Sequence, residues 1–334
     1  MSAEISNANG KDEMFFVGQK PWHGLGTELP ALATAAQAIK AAGLDWKVEK
    51  RTIYFKGAGK MAGQMLSKDL EGRIYAVVRT DIERGLGTAG RDWTPLQNED
   101  AFSFTDAIVQ EKEAIYETAG ALMGGRKVWI LAKLKGVMRV NGSEDVLDRY
   151  LLLANSHENG HALHVKLTSV RVVCQNTLNE ALGEKGQSYF KIRHSKNIGD
   201  KVADAREALG LINVRFEELQ KKINRLAEVK VNASKFGVFA ETIGYKPDSE
   251  EPRDVERFNA LVKSFETSPG SNLASAKGTL WGAVNAVTYM VDHEKEYKKS
   301  GDLSAGDNKL RSIWWGGGND MKSLAMDTAL AMAK

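Results

Sequence analysis

Three histidines, His157, His161 and His164, fall within eight residues in the segment HENGHALH, and an imidazole cluster of that density is the first chemistry the chain offers. Their spacing argues against a metal centre. His157 belongs to a turn-forming stretch, SHENG, and a separation of three along the strand expected from Ala162 to Val173 sends His161 and His164 to opposite faces. No fourth ligand lies nearby, where a structural zinc takes four, so the three read as surface or turn histidines. Cys174 is the only cysteine. It stands where a strand is expected to hand over to a helix, a place where backbone N–H groups lower a thiol's pKa. Nothing in the neighbouring sequence designates a base for it, His194 included, and a buried structural thiol is the favoured reading. A lone cysteine also excludes an intramolecular disulfide and any zinc site built from several thiolates, and it fits a reducing compartment.

Glycine-rich WWGGGND (Trp314–Asp320) and GTAGRDW (Gly87–Trp93) lack the GxxxxGK[ST] and GxGxxG spacings that cradle phosphates, and they read as turns and helix starts. The run KIRHSKN (Lys191–Asn197), preceded by Tyr189 and Phe190, is a different signal. Cations hold phosphates and aromatic rings stack on unpaired bases, the two ingredients of sequence-tolerant single-strand binding. Net charge over the chain is only +3, but between Leu163 and Lys201 seven bases (Lys166, Arg171, Lys185, Lys191, Arg193, Lys196, Lys201) face three acids (Glu180, Glu184, Asp200). The nucleic-acid-binding candidates are therefore Arg171, Lys191, Arg193 and Lys196 for phosphates, Tyr189 and Phe190 for stacking, and Trp22 and Trp46 as further walls of the same groove.

The elements that must position these residues follow from local pattern. Residues 1–30 read as a loop-rich arm. Thr34 and Gln37 have capping-box spacing ahead of a short helix that Gly43 stops. Strands are expected at Trp46–Phe55, Arg73–Arg79 after the linker GAGKMAGQMLSKDLEG, and around Trp93, forming a meander. Asn98 is placed to cap a helix running through Phe102, Ile108 and Val109. Strands Ile115–Leu122 and Arg126–Leu134 join at MGG. A short apolar run, Tyr150–Ala154, precedes the strand from Ala162, and NTLNEAL reads as a helix capped by Asn176. Val202, Ala205, Leu209, Ile212, Phe216, Leu219, Ile223 and Leu226 alternate spacings of three and four, a heptad seam; Leu280, Val284, Val287 and Val291 form a second stripe. An antiparallel pairing of these two helices within the chain is favoured over an intermolecular coiled coil.

The class expected is thus α+β: an antiparallel strand meander and hairpins with packed helices over residues 31–197, then a helical C-terminal region over 198–334. No stretch approaches the length of a transmembrane helix, and the N-terminal residues lack the basic start and apolar run of a secretory signal. The expected location is cytoplasmic, in a bacterial host cell.

PWHGLG, WKVEKRTIYF, WTPLQNEDAF, ETAGALMGGRKV, YLLLANSHENG, TSVRVVCQNTL, FKIRH and SIWWGGG together resemble the phage/plasmid-like protein family, a domain of unknown function found in phages, prophages and plasmids. The resemblance covers nearly the whole chain, and RVVCQNTL (Arg171–Leu178) is its most specific block. Where the family turn usually reads SHDGS, this chain has SHENG followed by His161, which weakens a role for that histidine. Membership implies a mobile-element setting and brings no activity. The order of helix, Trp-led meander, helix and hairpins is also similar to recombination annealing proteins that assemble as rings on single strands. The leading expectation is a non-enzymatic protein of phage or plasmid DNA metabolism that binds or anneals single-stranded DNA as a homo-oligomer, without cofactor or membrane. One alternative is a metal-dependent enzyme acting on nucleic acid through Asp145, Asp148, Glu180 or Glu184. Another is an interaction factor countering a host system through its heptad helix.

Overall fold

The computed structural model describes residues 5–8, 10–18, 25–30, 33–56, 62–65, 73–110, 114–171, 177–179, 190–197, 200, 212–298 and 316–334, with 305, 308, 309, 312 and 313 between the last two. Strands β1 (Asn7–Ala8) and β2 (Lys11–Asp12) form a small ribbon, followed by β3 (Met14–Val17) and β4 (Thr27–Leu29). Helix α1 (Ala35–Ala41) has the expected capping box, the Thr34 hydroxyl accepting from the Gln37 amide while the Gln37 side chain accepts from the Thr34 amide. A meander comes next: β5 (Val48–Thr52), β8 (Ile74–Arg79) and β9 (Arg84–Gly90) pair in that order. The hairpin of β6 (Tyr54–Lys56) and β7 (Ala62–Met65) is inserted between β5 and β8: β6 takes the end of the expected strand Trp46–Phe55, which breaks at Ile53, and β7 lies in the stretch read as linker. Residues around Trp93 are not a strand but the approach to helix α2 (Asn98–Gln110).

The main sheet is built from β10 (Ala114–Leu122), β11 (Lys127–Arg139), β12 (Val146–Ser156), β13 (Ala162–Arg171), β14 (Thr177–Asn179) and β15 (Phe190–Arg193), with β3 and β4 completing the far side. Its order is β14-β13-β12-β11-β10-β3-β4; β15 lies on the same edge of β13 as β14, against Ala162–Val165. All pairings are antiparallel except that of β3 with β4. Two expectations are corrected here. Met14–Val17 is entirely buried and belongs to the sheet, so the first 30 residues are more than an arm. Thr177–Asn179, read as the start of a helix, is a strand paired with Thr168–Val170, because the free edge of β13 supplies hydrogen-bond partners that helix propensity does not see.

Helices α3 (Ile212–Glu228), α4 (Ala233–Thr242), α5 (Pro252–Thr267), α6 (Leu280–Tyr289) and α7 (Gly317–Met332) follow, and α6 ends in a single π-helical turn, Met290–Glu294. Within the heptad seam, Phe216, Leu219, Ile223 and Leu226 are buried, as are Leu280, Val284, Val287 and Val291 of the second stripe. Both stripes join one apolar core with the sheet residues Phe15, Val128, Ile130, Leu151 and Leu153, so α3 packs within its own chain. Val202, Ala205 and Leu209 lie outside the described residues. The other face of the sheet carries a smaller cluster of Ile5, Met14, Leu122, Trp129, Leu152 and Ala154. Gly120 is required there, since a Cβ would stand 2.5 Å from the Trp129 ring and 2.7 Å from the Glu13 carbonyl. No described helix is long and apolar enough to cross a membrane.

Candidate functional site

The segment from Trp93 to Asn98 runs between the meander and the main sheet, and its polar groups reach a different strand at almost every step. The Thr94 carbonyl accepts from His194 Nδ1 at 3.0 Å, just beyond β15. The Leu96 carbonyl accepts from Asn155 Nδ2 of β12 at 3.2 Å. Gln97 holds both backbone groups of Val48 in β5, accepting at 3.0 Å and donating at 2.9 Å. Asn98 donates to the Leu44 carbonyl at 3.0 Å and meets His157 Nε2 at 3.1 Å. With its amide given to Leu44 and its oxygen to His157, Asn98 opens α2 as a cross-link between segments rather than as the expected side-chain cap.

These bonds fix the tautomers. Asn98 presents its carbonyl oxygen to His157, so Nε2 carries the proton; Thr94 presents a carbonyl to His194, so there Nδ1 carries it. Among the described residues His157 Nδ1 and His194 Nε2 are left as buried acceptors without a hydrogen-bond partner, as is Asn155 Oδ1, while Trp46 Nε1, Trp93 Nε1 and Arg126 Nε are buried donors in the same condition. The rings pack closely: His157 meets Trp46 edge-on at 5.3 Å, and His194 stacks on Trp93 at 5.1 Å. Burial drives His157 down to about 3, helped by the positive potential of His194, Lys127 and Arg79. Burial also lowers His194, opposed by its bond to Thr94. Both imidazoles are neutral at physiological pH. The reading of His157 as a surface or turn histidine is therefore corrected: it is fully buried.

Behind Trp46 lies a buried ionic group. Arg79 donates through both terminal nitrogens to Glu13 of the β2–β3 connection, and through Nε to Asp81 at 2.7 Å; its guanidinium sits 4.3 Å over the Trp46 ring. Asp81 is held below the usual carboxylate range by those bonds. The MGG turn closes this wall, Gly125 adopting φ 102° with a hypothetical Cβ only 3.1 Å from Trp46. Trp46 is thus a core residue, not the groove wall expected of it.

On the solvent side, His194 places the end of β15 beside the 91–93 loop. Arg193 is exposed, and Lys196 reaches Asp92 at 3.2 Å with both side chains largely in solvent. Lys50 donates to the Arg91 carbonyl at 2.8 Å. Lys50, Arg91, Arg193 and Lys196 therefore form a cationic border with Asp92 as its acid. Lys191 and Phe190 lie in β15, opposite His164 and Val165, and Arg171 ends β13 opposite Leu147; only their backbones are among the described residues. Tyr189, Trp22, Cys174, Asn176, Glu180 and Glu184 lie outside them. Of the remaining carboxylates, Asp145 accepts from Ser275 Oγ at 2.6 Å and Trp281 Nε1 at 3.4 Å, and Asp148 pairs with Lys133 at 2.7 Å. No group of three metal-ligating residues exists among the described residues.

Five of the eight motifs that carry the resemblance thus meet in one place, through Trp46, Trp93–Asn98, Met123–Gly125, His157 and His194. A family model described as Domain of unknown function (DUF932) matches residues 85–314. The chain belongs to that family. The DUF932 match takes in Trp93, Asn98, His157 and His194 and starts after Trp46 and Arg79, so the junction joins matched and unmatched segments. Neither curated proteins nor solved structures give a significant match.

Sequence reasoning missed Asn98, Asn155 and His157 as a unit because their partners lie 54 to 59 residues away. The one local signal was density: WTPLQN places four polar or aromatic side chains in six residues at the start of a helix.

Proposed function

We propose that this DUF932 protein binds single-stranded nucleic acid along the border formed by β15 and the 91–93 loop, in the DNA metabolism of a phage or plasmid. What carries the reading is that Arg193 and Lys196 project from a segment anchored in the core by His194, so two exposed cations are held on a fixed platform instead of a free tail. Arg91 and Lys50, joined at 2.8 Å, extend the same positive edge. Fixed cations at sheet-edge spacing suit a flexible phosphate backbone, which adjusts to them more readily than a stiff duplex. Lys191 belongs to β15 itself, while Arg171 ends β13 away from the part of that strand on which β15 pairs.

A titration of labelled single- and double-stranded oligonucleotides at two salt concentrations tests this. The single strand is expected to bind more tightly, with affinity falling steeply as salt rises. Arg193→Ala with Lys196→Ala is expected to weaken binding about tenfold and to reduce the salt slope by roughly one to two phosphates. Unchanged affinity and slope in that double variant would sink the assignment.

A further inference from the structure

Helices α4 and α5 line a groove of about 650 Å³ that neither the sheet nor the cationic border touches. Its floor is apolar: Phe236 stacks on Phe265 with centroids 4.3 Å apart, and Phe258 and Val262 are only partly buried beside them. Val238, on the lip, is 53% exposed, the most exposed large apolar side chain among the described residues. Charge on the lining is one-signed. Glu241, Asp248 and Glu266 contribute carboxylates, no lysine or arginine lines the groove, and none of the three acids forms an ion pair among the described residues.

Gly237 adds an independent observation. It sits in the middle of α4, where glycine weakens a helix, and nothing lies within 4 Å of the place its Cβ would occupy. Packing within the chain therefore does not require glycine. Its effect is to leave the α4 backbone bare at the wall of the groove, next to Val238, where another backbone or a large side chain gains close approach.

We infer that this groove is a docking site for an amphipathic helix of a partner protein, apolar residues seated on Phe236, Phe258 and Phe265 and flanking lysines or arginines meeting Glu241, Asp248 and Glu266. Helix-in-groove recognition supplies this geometry, with anchors spaced i, i+3, i+4 and i+7. Oppositely charged rims select the partner and steer its approach. Among the described residues the seam of α3, from Phe216 to Leu226, is buried inside the chain and offers no docking face.

The test uses the full chain and a fluorescent, roughly 15-residue helical peptide with leucines at that spacing and lysines elsewhere, against a counterpart with glutamates in place of the lysines. The lysine peptide is expected to bind at least about tenfold more tightly than the glutamate peptide. Gly237→Leu fills the open wall and favours the helix, so it is expected to weaken the lysine peptide about tenfold while Tm stays at or above that of the wild type. The triple variant Glu241→Gln, Asp248→Asn, Glu266→Gln is expected to lose the preference between peptides. Oligonucleotide binding should be the same in Gly237→Leu as in the wild type, which separates this site from the cationic border. Equal binding of both peptides overturns the inference, as does undiminished binding by Gly237→Leu. Self-association seen by light scattering in the wild type and abolished in Gly237→Leu would assign the groove to a second copy and overturn it as well.

Discussion

Arg79 in the sheet half and Lys322 in the helical half are each 1% exposed, yet the two regions hold their buried charge differently. Arg79 has a planar fork that engages Glu13 and Asp81 together and sits over the Trp46 ring. Lys322 donates to Asp292 Oδ1 at 2.9 Å, and burial lowers its pKa against the pull of that aspartate. Lys166, close to Asp320 and Lys322, is drawn down by burial to about 8. A guanidinium keeps its charge and orients several partners at once, whereas an ammonium is a point charge that gives way when desolvated. The sheet half thus uses its ion group to orient the wall of the junction. The helical half places its pair between α7 and the end of α6.

Breaking each pair separates these roles. Arg79→Met strands Glu13 and removes the cation from Trp46, and it is expected to cost about 3–5 kcal/mol in urea unfolding. Replacing both Lys322 and Asp292 with apolar residues, as in Lys322→Met with Asp292→Leu, is expected to be close to neutral. An equally large loss in both variants would erase the distinction.

The pH dependence of the junction gives a smaller and more specific effect. His157 has a folded pKa of about 3, below the ordinary imidazole value near 6.5, and His194 is lowered too. A base whose folded pKa is depressed binds more protons unfolded, so its contribution is complete above about pH 6.5 and is lost as pH falls towards the folded value, by up to about 1.4 kcal/mol per unit for each group. Asp81, held down by Arg79, adds its own loss only in the carboxylate range below about pH 4. His157→Gln, read by urea midpoints from pH 7 to 4, is expected to flatten the slope between about pH 6.5 and 4; an unchanged slope would mean that His157 does not titrate as its burial implies. Smallest is the local control Thr34→Ala, which removes the capping box of α1 and is expected to cost about 1 kcal/mol with no change in the pH profile.

That control also marks what the sequence discloses. The Thr34–Gln37 cap, the hairpin turning at MGG, the helix from Asn98 and the two apolar stripes are legible because their signals lie within one or two turns of chain. Strand β9, RGLGTAG, is illegible for the opposite reason: three glycines argue against a strand, and only its pairing with β8 makes it one. Met14–Val17 is too short a run to stand out from its polar flanks, and its place in the sheet is set by Thr118–Gly120 more than 100 residues later. The site divides in the same way. Basic residues before and after His194 are visible as local charge, while His194 itself acts through Thr94, 100 residues earlier. Trp46 reads as an aromatic fit for a groove, and only Arg79, Gly125 and His157 closing over it make it core.

The Trp93–Asn98 segment has a further consequence during synthesis. Its partners at Leu44 and Val48 precede it in the chain, whereas Asn155, His157 and His194 follow it. A ribosome that has released only the meander and α2 therefore presents Trp93 and the Thr94 and Leu96 carbonyls to solvent, and their last cover arrives when residue 194 emerges and β15 docks on β13. Completion of the sheet edge and sealing of the junction are thus a single late event in the life of the nascent chain, and the cations that flank His194 take their places in that same step.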